Sequence, residues 1–268
     1  MRETAYAKLN LALHVRARRE DGYHELETLF AFCEHGDVLS AEPAERDEVR
    51  TLGEFGGNVG DPGDNLVARA LTELPHSGGL SITLEKNLPV AAGLGGGSAD
   101  AGAVFRLVEK THGLPGDWQA RALKLGADVP ACVRSEMAVG RGVGEELAPL
   151  ENDLAGTPVL LVNPRIALST GPVFAAWDGF DRGALPQGSA RDIALNGRND
   201  LEAPAISICP AIDQVLRALG ATSPLLARMS GSGATCFALY EDAELRDAAE
   251  REIALRQPGW WRMASVLR

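Results

Sequence analysis

Four glycines within five positions, Gly93-Leu94-Gly95-Gly96-Gly97, stand directly before a helical pattern and constrain this chain more than any other feature. Ala101, Val104, Phe105 and Val108 follow at i, i+3, i+4 and i+7, the spacing of one buried helix face. Glycines lack the Cβ that would hold backbone N–H groups away from a ligand. The helix start behind them adds unpaired N–H groups and the positive end of its dipole. The stretch Pro89-Val90-Ala91-Ala92-Gly93-Leu94-Gly95-Gly96-Gly97-Ser98-Ala99-Asp100 therefore predicts an anion cradle. Such a cradle holds a di- or triphosphate without lysine or arginine; the bland alternative is a tightly packed turn.

Charge limits what that anion can be. The chain has 37 acidic and 26 basic residues and a formal net charge of -11, which argues against nucleic acid or an anionic membrane as partner. A phosphate-bearing small ligand needs only a few local donors. At 268 residues, and roughly 150 per domain, two domains are expected. Cys33, Cys132, Cys209 and Cys236 lie far apart without a C-x-x-C pair, and Cys33 with His35 finds no second half-site at zinc spacing. Reduced structural thiols are expected. No signal pattern opens the chain and no apolar run approaches the ~18 residues of a membrane span, so a cytoplasmic location is expected.

Leu9, Leu11, Leu13 and Val15 alternate with Lys8, Asn10, Ala12 and His14, a strand that puts Lys8 and Asn10 on one face roughly 7 Å apart. Asp21-Gly22 is a turn signal leading to Tyr23 and His24. Apolar stretches follow at 26–32 and 38–40, whereas 41–64 reads as loop or hairpin tips. Asn65 is a candidate cap for a helix carrying Leu66, Ala70, Leu71 and Leu74. Leu80, Ile82 and Leu84 alternate as a strand, and Asp117 starts a helix that stops at Gly126. Beyond a short strand at 159–162, residues 178–199 read as loop. Helical patterns at 212–219 and 243–255 flank a strand at 235–240. An α+β chain divided near residue 155 is the expectation.

The glycine run fails the common phosphate templates. A P-loop needs Gly-Lys-Ser/Thr, but Gly97 is followed by Ser98-Ala99; the dinucleotide fingerprint ends in glycine or alanine, and Gly93-x-Gly95-x-x-Ser98 does not. Protein-kinase H-R-D and D-F-G and the hydrolase G-x-S-x-G are absent from the sequence. The run instead resembles the P-x-x-x-G-L-G-S/G-S-S signature of the small-molecule kinase superfamily of galactokinase, homoserine kinase, mevalonate kinase and phosphomevalonate kinase. Ala7-Lys8-Leu9-Asn10-Leu11, Asp21-Gly22-Tyr23-His24, Gly63-Asp64-Asn65-Leu66, Leu125-Gly126-Ala127-Asp128-Val129-Pro130 and Met229-Ser230-Gly231-Ser232-Gly233-Ala234 extend the likeness in order across residues 7–234. The three-glycine loop and Tyr23-His24 resemble the branch whose acceptor alcohol carries a cytidine diphosphate.

The resemblance implies a two-domain α+β kinase fold with its active site in the interdomain cleft. It implies residues 1–155 as an N-terminal ATP-binding domain and 156–268 as a C-terminal α+β domain. The implied reaction is ATP-dependent phosphorylation of the 2-hydroxyl of 4-diphosphocytidyl-2-C-methyl-D-erythritol, on the non-mevalonate route to isoprenoid precursors. Asp128 is the implied catalytic base and Lys8 its partner, which suits a transfer governed by positioning and charge neutralisation. Read alone, Asp128 is equally a helix cap before Pro130 and Lys8 a strand-end lysine. The implied ATP site is Pro89 to Ala99 with Asn65 near the adenine or ribose, and Ser98 is the candidate ligand of the Mg²⁺ accompanying ATP. Asn10, Tyr23, His24, Gly231, Ser232 and Gly233 are the implied substrate residues, with Phe174 as a second base-stacking aromatic or plain core. Many members have Gly-Gly-Gly where this chain has Ala91-Ala92-Gly93, and Ser-Ser-Asn where it has Ser98-Ala99-Asp100. Asp100 is then a charge near the triphosphate or a metal-side acid. A monomer or weak homodimer is expected. The rival readings are a sister kinase for mevalonate, homoserine or a sugar, a dinucleotide-binding oxidoreductase, and a non-catalytic nucleotide sensor.

Overall fold

The computed structural model describes residues 1–58 and 65–268. Gly63 and Asp64 of the expected 63–66 block, with the rest of 59–64 in the expected 41–64 loop, lie outside the described residues. In the first half, strands β1 (Arg2–Arg18), β2 (His24–Ala44), β3 (Glu48–Leu52), β4 (Gly79–Glu85), β5 (Ala138–Gly142) and β6 (Glu146–Pro149) alternate with helices. The helices there are α1 (Leu66–Glu73), α2 (Gly96–His112), α3 (Trp118–Leu125) and α4 (Val129–Arg134). The second half adds β7 (Pro158–Asn163), α5 (Thr170–Ala175), α6 (Ala190–Asn196), α7 (Glu202–Ile208), α8 (Ala211–Gly220), β8 (Leu226–Met229), β9 (Cys236–Leu239), α9 (Ala243–Arg256) and β10 (Trp261–Val266).

The chain forms two compact units that interleave in sequence. The first comprises Met1–Lys8, His35–Val90 and Gly95–Ser135; the second comprises Leu9–Glu34, Ala91–Leu94 and Glu136–Arg268. The boundary expected near residue 155 falls inside the second unit. Because β1 and β2 each pass through both units, no single cut of the chain parts them.

In the first unit, β4 pairs antiparallel with the C-terminal half of β2 (Val38 with Glu85 through Ala44 with Gly79) and parallel with β3. The sequence expects loop over 41–64, but β2 runs on to Ala44 and 48–52 is a strand. Val49 and Thr51 alternate there with exposed Glu48, Arg50 and Leu52, a signal too short to stand out beside charge and glycine. Asn65 caps α1 as expected, its Oδ1 accepting from Val67 N at 2.9 Å. On α2, Ala101, Val104, Phe105 and Val108 are all fully buried. Burial of the Phe105 ring alone is worth roughly 1.5–3 kcal/mol. Arg106, on the same helix, donates to Glu3 Oε2 (3.1 Å), to Thr4 O (2.6 Å) and to Cys132 O (2.6 Å), tying α2 to β1 and α4.

In the second unit, β5 pairs antiparallel with the N-terminal half of β2 (Leu26 with Gly142) and with β6. A separate antiparallel sheet runs β10-β7-β9-β8, and every residue of β7 and β9 is buried. Ile212, Val215 and Leu219 of α8 pack into the core beside Trp177, Leu201 and Met229. The stretch expected as loop over 178–199 contains α6, started by a capping box between Ser189 and Asp192. Its buried apolar content is only Ala190, Ile193 and Ala194, too little for a periodic signal. All four cysteines are buried and free. No helix among the described residues is long and apolar enough to cross a membrane.

Residues 198–200 then join β1 as an extra bridge: Leu13 N donates to Arg198 O (2.8 Å) and Asp200 N to Leu13 O (2.9 Å). Asn199 between them donates from Nδ2 to Met229 O and Gly231 O, both at 2.8 Å, while its Oδ1 accepts from Leu201 N at 2.9 Å. One buried amide thus fixes the chain at 229–231. Asn199→Ala leaves these groups unpaired and is expected to cost about 2–4 kcal/mol, read as a lower midpoint in urea unfolding.

Candidate active site

The glycine run crosses from one unit to the other, and each part meets its own set of partners. In the second unit, Ala91 O accepts from Leu168 N (3.2 Å), Ala92 O from Thr235 N (3.1 Å) and Gly93 O from Ser230 Oγ (2.9 Å). Gly93 has φ +75°, and a Cβ there would stand 2.3 Å from Ser230 O, so only glycine fits. Ala91 takes φ +52°, the left-handed conformation that glycine adopts at less cost. Ala91, which departs from the family pattern, therefore keeps a glycine-like conformation.

In the first unit, Gly95 (φ +60°) is the N-cap of α2 and provides no capping side chain. The first helical bond runs from Ala99 N to Gly95 O at 2.7 Å, and no acid stands in the first turn. The N–H groups of Gly96, Gly97 and Ser98 precede that bond, at the positive end of a 17-residue helix. Among the other ATP candidates, Pro89, Ala92, Leu94 and Ala99 have buried side chains, Val90 is exposed, and the Asn65 Oδ1 is engaged in its cap.

Lys8 and Asp128 meet beside this helix start. Lys8 Nζ lies 3.0 Å from Asp128 Oδ2; the lysine side chain is 4% exposed and the aspartate 35%. The ammonium is thus sequestered while the carboxylate is the accessible member of the pair. Asp128 occupies the N-cap position of α4 ahead of Pro130, yet its side chain makes no cap hydrogen bond. The helix-cap alternative is therefore not what its carboxylate does. A Cβ on Gly95 would stand 2.9 Å from Lys8 Cε and 3.7 Å from Asp128 Oδ2. Backbone, ammonium and carboxylate converge at one point.

Asp100, expected as a charge near the triphosphate or a metal-side acid, faces Lys86 beneath the loop. It is buried, and its Oδ2 accepts from Lys86 Nζ at 2.8 Å. Lys86 also bonds Asp37, whose Oδ1 accepts from the backbone N–H of Asn87 (2.6 Å) and of Leu88 (2.8 Å). One lysine cannot neutralise two buried carboxylates. Asp37 is the better solvated by hydrogen bonds, whereas Asp100 Oδ1 has no partner. Burial, with Lys86 opposing and Asp37 adding to it, pushes the Asp100 carboxyl up to about 7. This triad underlies the loop: a Cβ on Gly96 would stand 3.4 Å from Lys86 Nζ.

The remaining candidates lie in the second unit. Asn10 Nδ2 donates to Thr28 Oγ1 (2.8 Å), and a Cβ on Gly231 (φ +56°) would approach Asn10 Oδ1 to 3.2 Å. Ser232 Oγ hydrogen-bonds Thr170 Oγ1 at 3.0 Å, and Gly233 (φ +86°) donates to Ser230 O at 3.0 Å. Asn10, the 229–235 turn and Gly93 thus form one cluster. Tyr23 is 62% exposed at its turn. His24 packs on Phe174 with centroids 4.9 Å apart, and on the edge of Trp177 at 5.7 Å. Burial, with the nearby Arg18 charge, lowers the His24 pKa, so its imidazole is neutral at neutral pH.

This chain belongs to the GHMP kinase family. Residues 65–136 match the GHMP kinases N terminal domain, and residues 184–257 match GHMP kinases C terminal. Within the family it is similar to proteins named 4-diphosphocytidyl-2-C-methyl-D-erythritol kinase. That of Erythrobacter litoralis is 64% identical, covering 99% of this chain and 98% of the relative; that of Novosphingobium aromaticivorans is 66% identical, covering 100% and 93%. A crystal structure of 4-(cytidine 5'-diphospho)-2C-methyl-D-erythritol kinase superposes with a TM-score of 0.83 at 36% identity, covering 100% of this chain and 99% of that one. The two-domain α+β kinase fold expected from the motifs is the fold of the family, and the chain is a kinase.

Several side chains that build the site escape sequence reasoning. Asp37 and Lys86 sit in strand-like segments where each reads as an ordinary surface charge. Trp177 and Asn199 act through partners far away in sequence. Only Asp100 carried a signal, as a departure from the family pattern. Its raised pKa sets a pH dependence: the folded state binds a proton that the unfolded state releases at lower pH, so this contribution is present in acid and lost as pH rises through about 7. Asp100→Asn mimics the protonated form. Its stability relative to the parent protein is expected to rise between pH 6 and pH 8.5 in urea unfolding; a constant or falling difference contradicts the assignment.

Proposed function

We propose that this kinase transfers the γ-phosphoryl group of ATP to the 2-hydroxyl of 4-diphosphocytidyl-2-C-methyl-D-erythritol, on the non-mevalonate route to isoprenoid precursors. The observation that carries this reading is likeness above 60% identity, over essentially the whole chain, to relatives named for that kinase. The geometry supports it. The hydroxyl lies against Asp128, whose accessible carboxylate oxygen takes its proton as the oxygen attacks phosphorus. Lys8, 3.0 Å from that carboxylate, offsets negative charge on the transferring phosphoryl group.

The N–H groups of Gly96, Gly97 and Ser98 hold the phosphates, and the preceding residues from Pro89, with Asn65, border the nucleotide. Mg²⁺ fits here with few protein ligands. Ser98 Oγ is within 4.0 Å of a Cβ built on Gly126, two residues before Asp128, while Asp100 is committed to Lys86. A hydroxyl, phosphate oxygens and water make an ordinary Mg²⁺ shell, and the ion neutralises phosphate charge when bound. The cytosine base lies against His24 and Phe174 with Tyr23 at its open side. The 230–233 turn with Asn10 faces the acceptor diphosphate. The first unit is then the ATP-holding half and the second the acceptor-holding half, in a cytoplasmic enzyme that works as a monomer or weak homodimer.

The test is ADP release over a panel of acceptors with ATP and Mg²⁺. Release with the diphosphocytidyl alcohol and not with mevalonate, homoserine or galactose is expected; preference for a sister acceptor overturns the reading. Asp128→Ala is expected to retain ATP binding while turnover falls at least ~100-fold, the lower scale for loss of a general base.

A further inference from the structure

Buried polar side-chain atoms are nearly always hydrogen-bonded, and an exception asks for an explanation. Among the described residues, two such unpartnered atoms belong to neighbouring rings: His24 Nε2 and Trp177 Nε1. The two rings meet edge-on, with centroids 5.7 Å apart and planes at 80°. Trp177 is only 2% exposed, so its indole N–H is withheld from bulk water without receiving an acceptor in exchange. Such a group destabilises the free protein.

Nor is the indole free to turn away and find one. Arg18 Nη2 donates to Ala175 O (3.1 Å) and to Trp177 O (2.5 Å), fixing the backbone on both sides of the residue. The same guanidinium lies 5.9 Å from the indole centroid, and Trp177 N closes the last turn of α5 onto Phe174 O at 3.2 Å. A donor is held, dry and unspent, one ring away from the histidine assigned above to the base.

We propose that Trp177 is a specificity-determining residue for the acceptor substrate: its indole N–H donates to an acceptor atom on the polar edge of the pyrimidine base that His24 reads. The inference rests on the reading that the base lies against His24. An indole nitrogen only donates, whereas a neutral imidazole brings one donor and one acceptor. Cytosine offers a carbonyl oxygen and an unprotonated ring nitrogen as acceptors, so the indole meets one of them and the imidazole a neighbouring group. A site that leaves its own donor unpaired without the ligand discriminates strongly against ligands lacking the matching acceptor.

Trp177→Phe keeps an aromatic edge against His24 and deletes the N–H. Its Kd for cytidine diphosphate and its KM for the acceptor are expected to rise about tenfold, with kcat and the KM for ATP unchanged. Its unfolding midpoint should not fall, because a buried unpaired donor is removed; a merely structural role moves the midpoint and leaves the Kd alone. His24→Ala separates the two levels of the argument. If it weakens cytidine diphosphate while Trp177→Phe binds as the parent does, the indole inference is overturned and the base site stands. If His24→Ala also binds normally, the base site itself fails. In the unaltered ¹⁵N-labelled protein, the indole resonance missing from Trp177→Phe is expected to shift when cytidine diphosphate is added, and an unmoved resonance overturns the proposal without relying on any variant's stability.

Discussion

The close approach of the backbone at Gly95 to the Lys8–Asp128 pair is the contact on which the rest of this architecture depends. A buried ammonium is costly unless a counter-charge meets it. Lys8 is buried on β1 and Asp128 stands at the head of α4, so the pair links the start of the chain to a helix more than a hundred residues on. Because Gly95 carries no Cβ, α2 begins immediately beside that pair. A side chain at this position would push the helix start and the charges apart.

The arrangement also explains how a chain of net charge -11 handles a polyanion. Long-range field works against phosphate here, so in the reaction proposed above affinity comes from groups close at hand: amide dipoles, one lysine and the proposed divalent cation. The buried lysine beneath the loop does not simply add to that set. Lys86 is shared between Asp37 and Asp100, and the backbone N–H groups of Asn87 and Leu88 are anchored on Asp37. That network fixes the approach to the loop from below, and burial raises the Asp100 carboxyl above the usual carboxylate range.

Much of this was legible in the sequence because the signals were local. The period-2 pattern of β1, the apolar face of α2, the Asn65 cap and the helix start behind the glycine run all read correctly, and ordered motifs pointed to the kinase family. What stayed hidden depends on contacts between distant segments. β3, β5 and β10 are short or lack clean alternation, and they become strands only through their partners. α6 has a capping box but scarcely more than one turn of buried residues. The interleaving of the two units follows from β1 and β2 passing through both, which no composition shift announces. Asp37, Lys86, Trp177 and Asn199 look unremarkable in the chain; each gains its role from a partner 14 to 159 residues away or from burial, as in the bonds of Lys86 to Asp100 and Asp37 and in the Arg18 contacts to the Trp177 segment.

The central claim is that Lys8 and Asp128 act as one unit at the helix start. A double-mutant cycle measures this directly: single-turnover phosphoryl-transfer rates for the parent protein, Lys8→Met, Asp128→Asn and the double variant, all at saturating ATP and acceptor. Groups that work together give strongly non-additive losses. The double variant is therefore expected to be no more than about threefold slower than Asp128→Asn alone, within the usual reach of an uncoupled change of ~0.6 kcal/mol. Losses that multiply across the two single variants would contradict the account, because they would mean that lysine and aspartate serve the reaction independently.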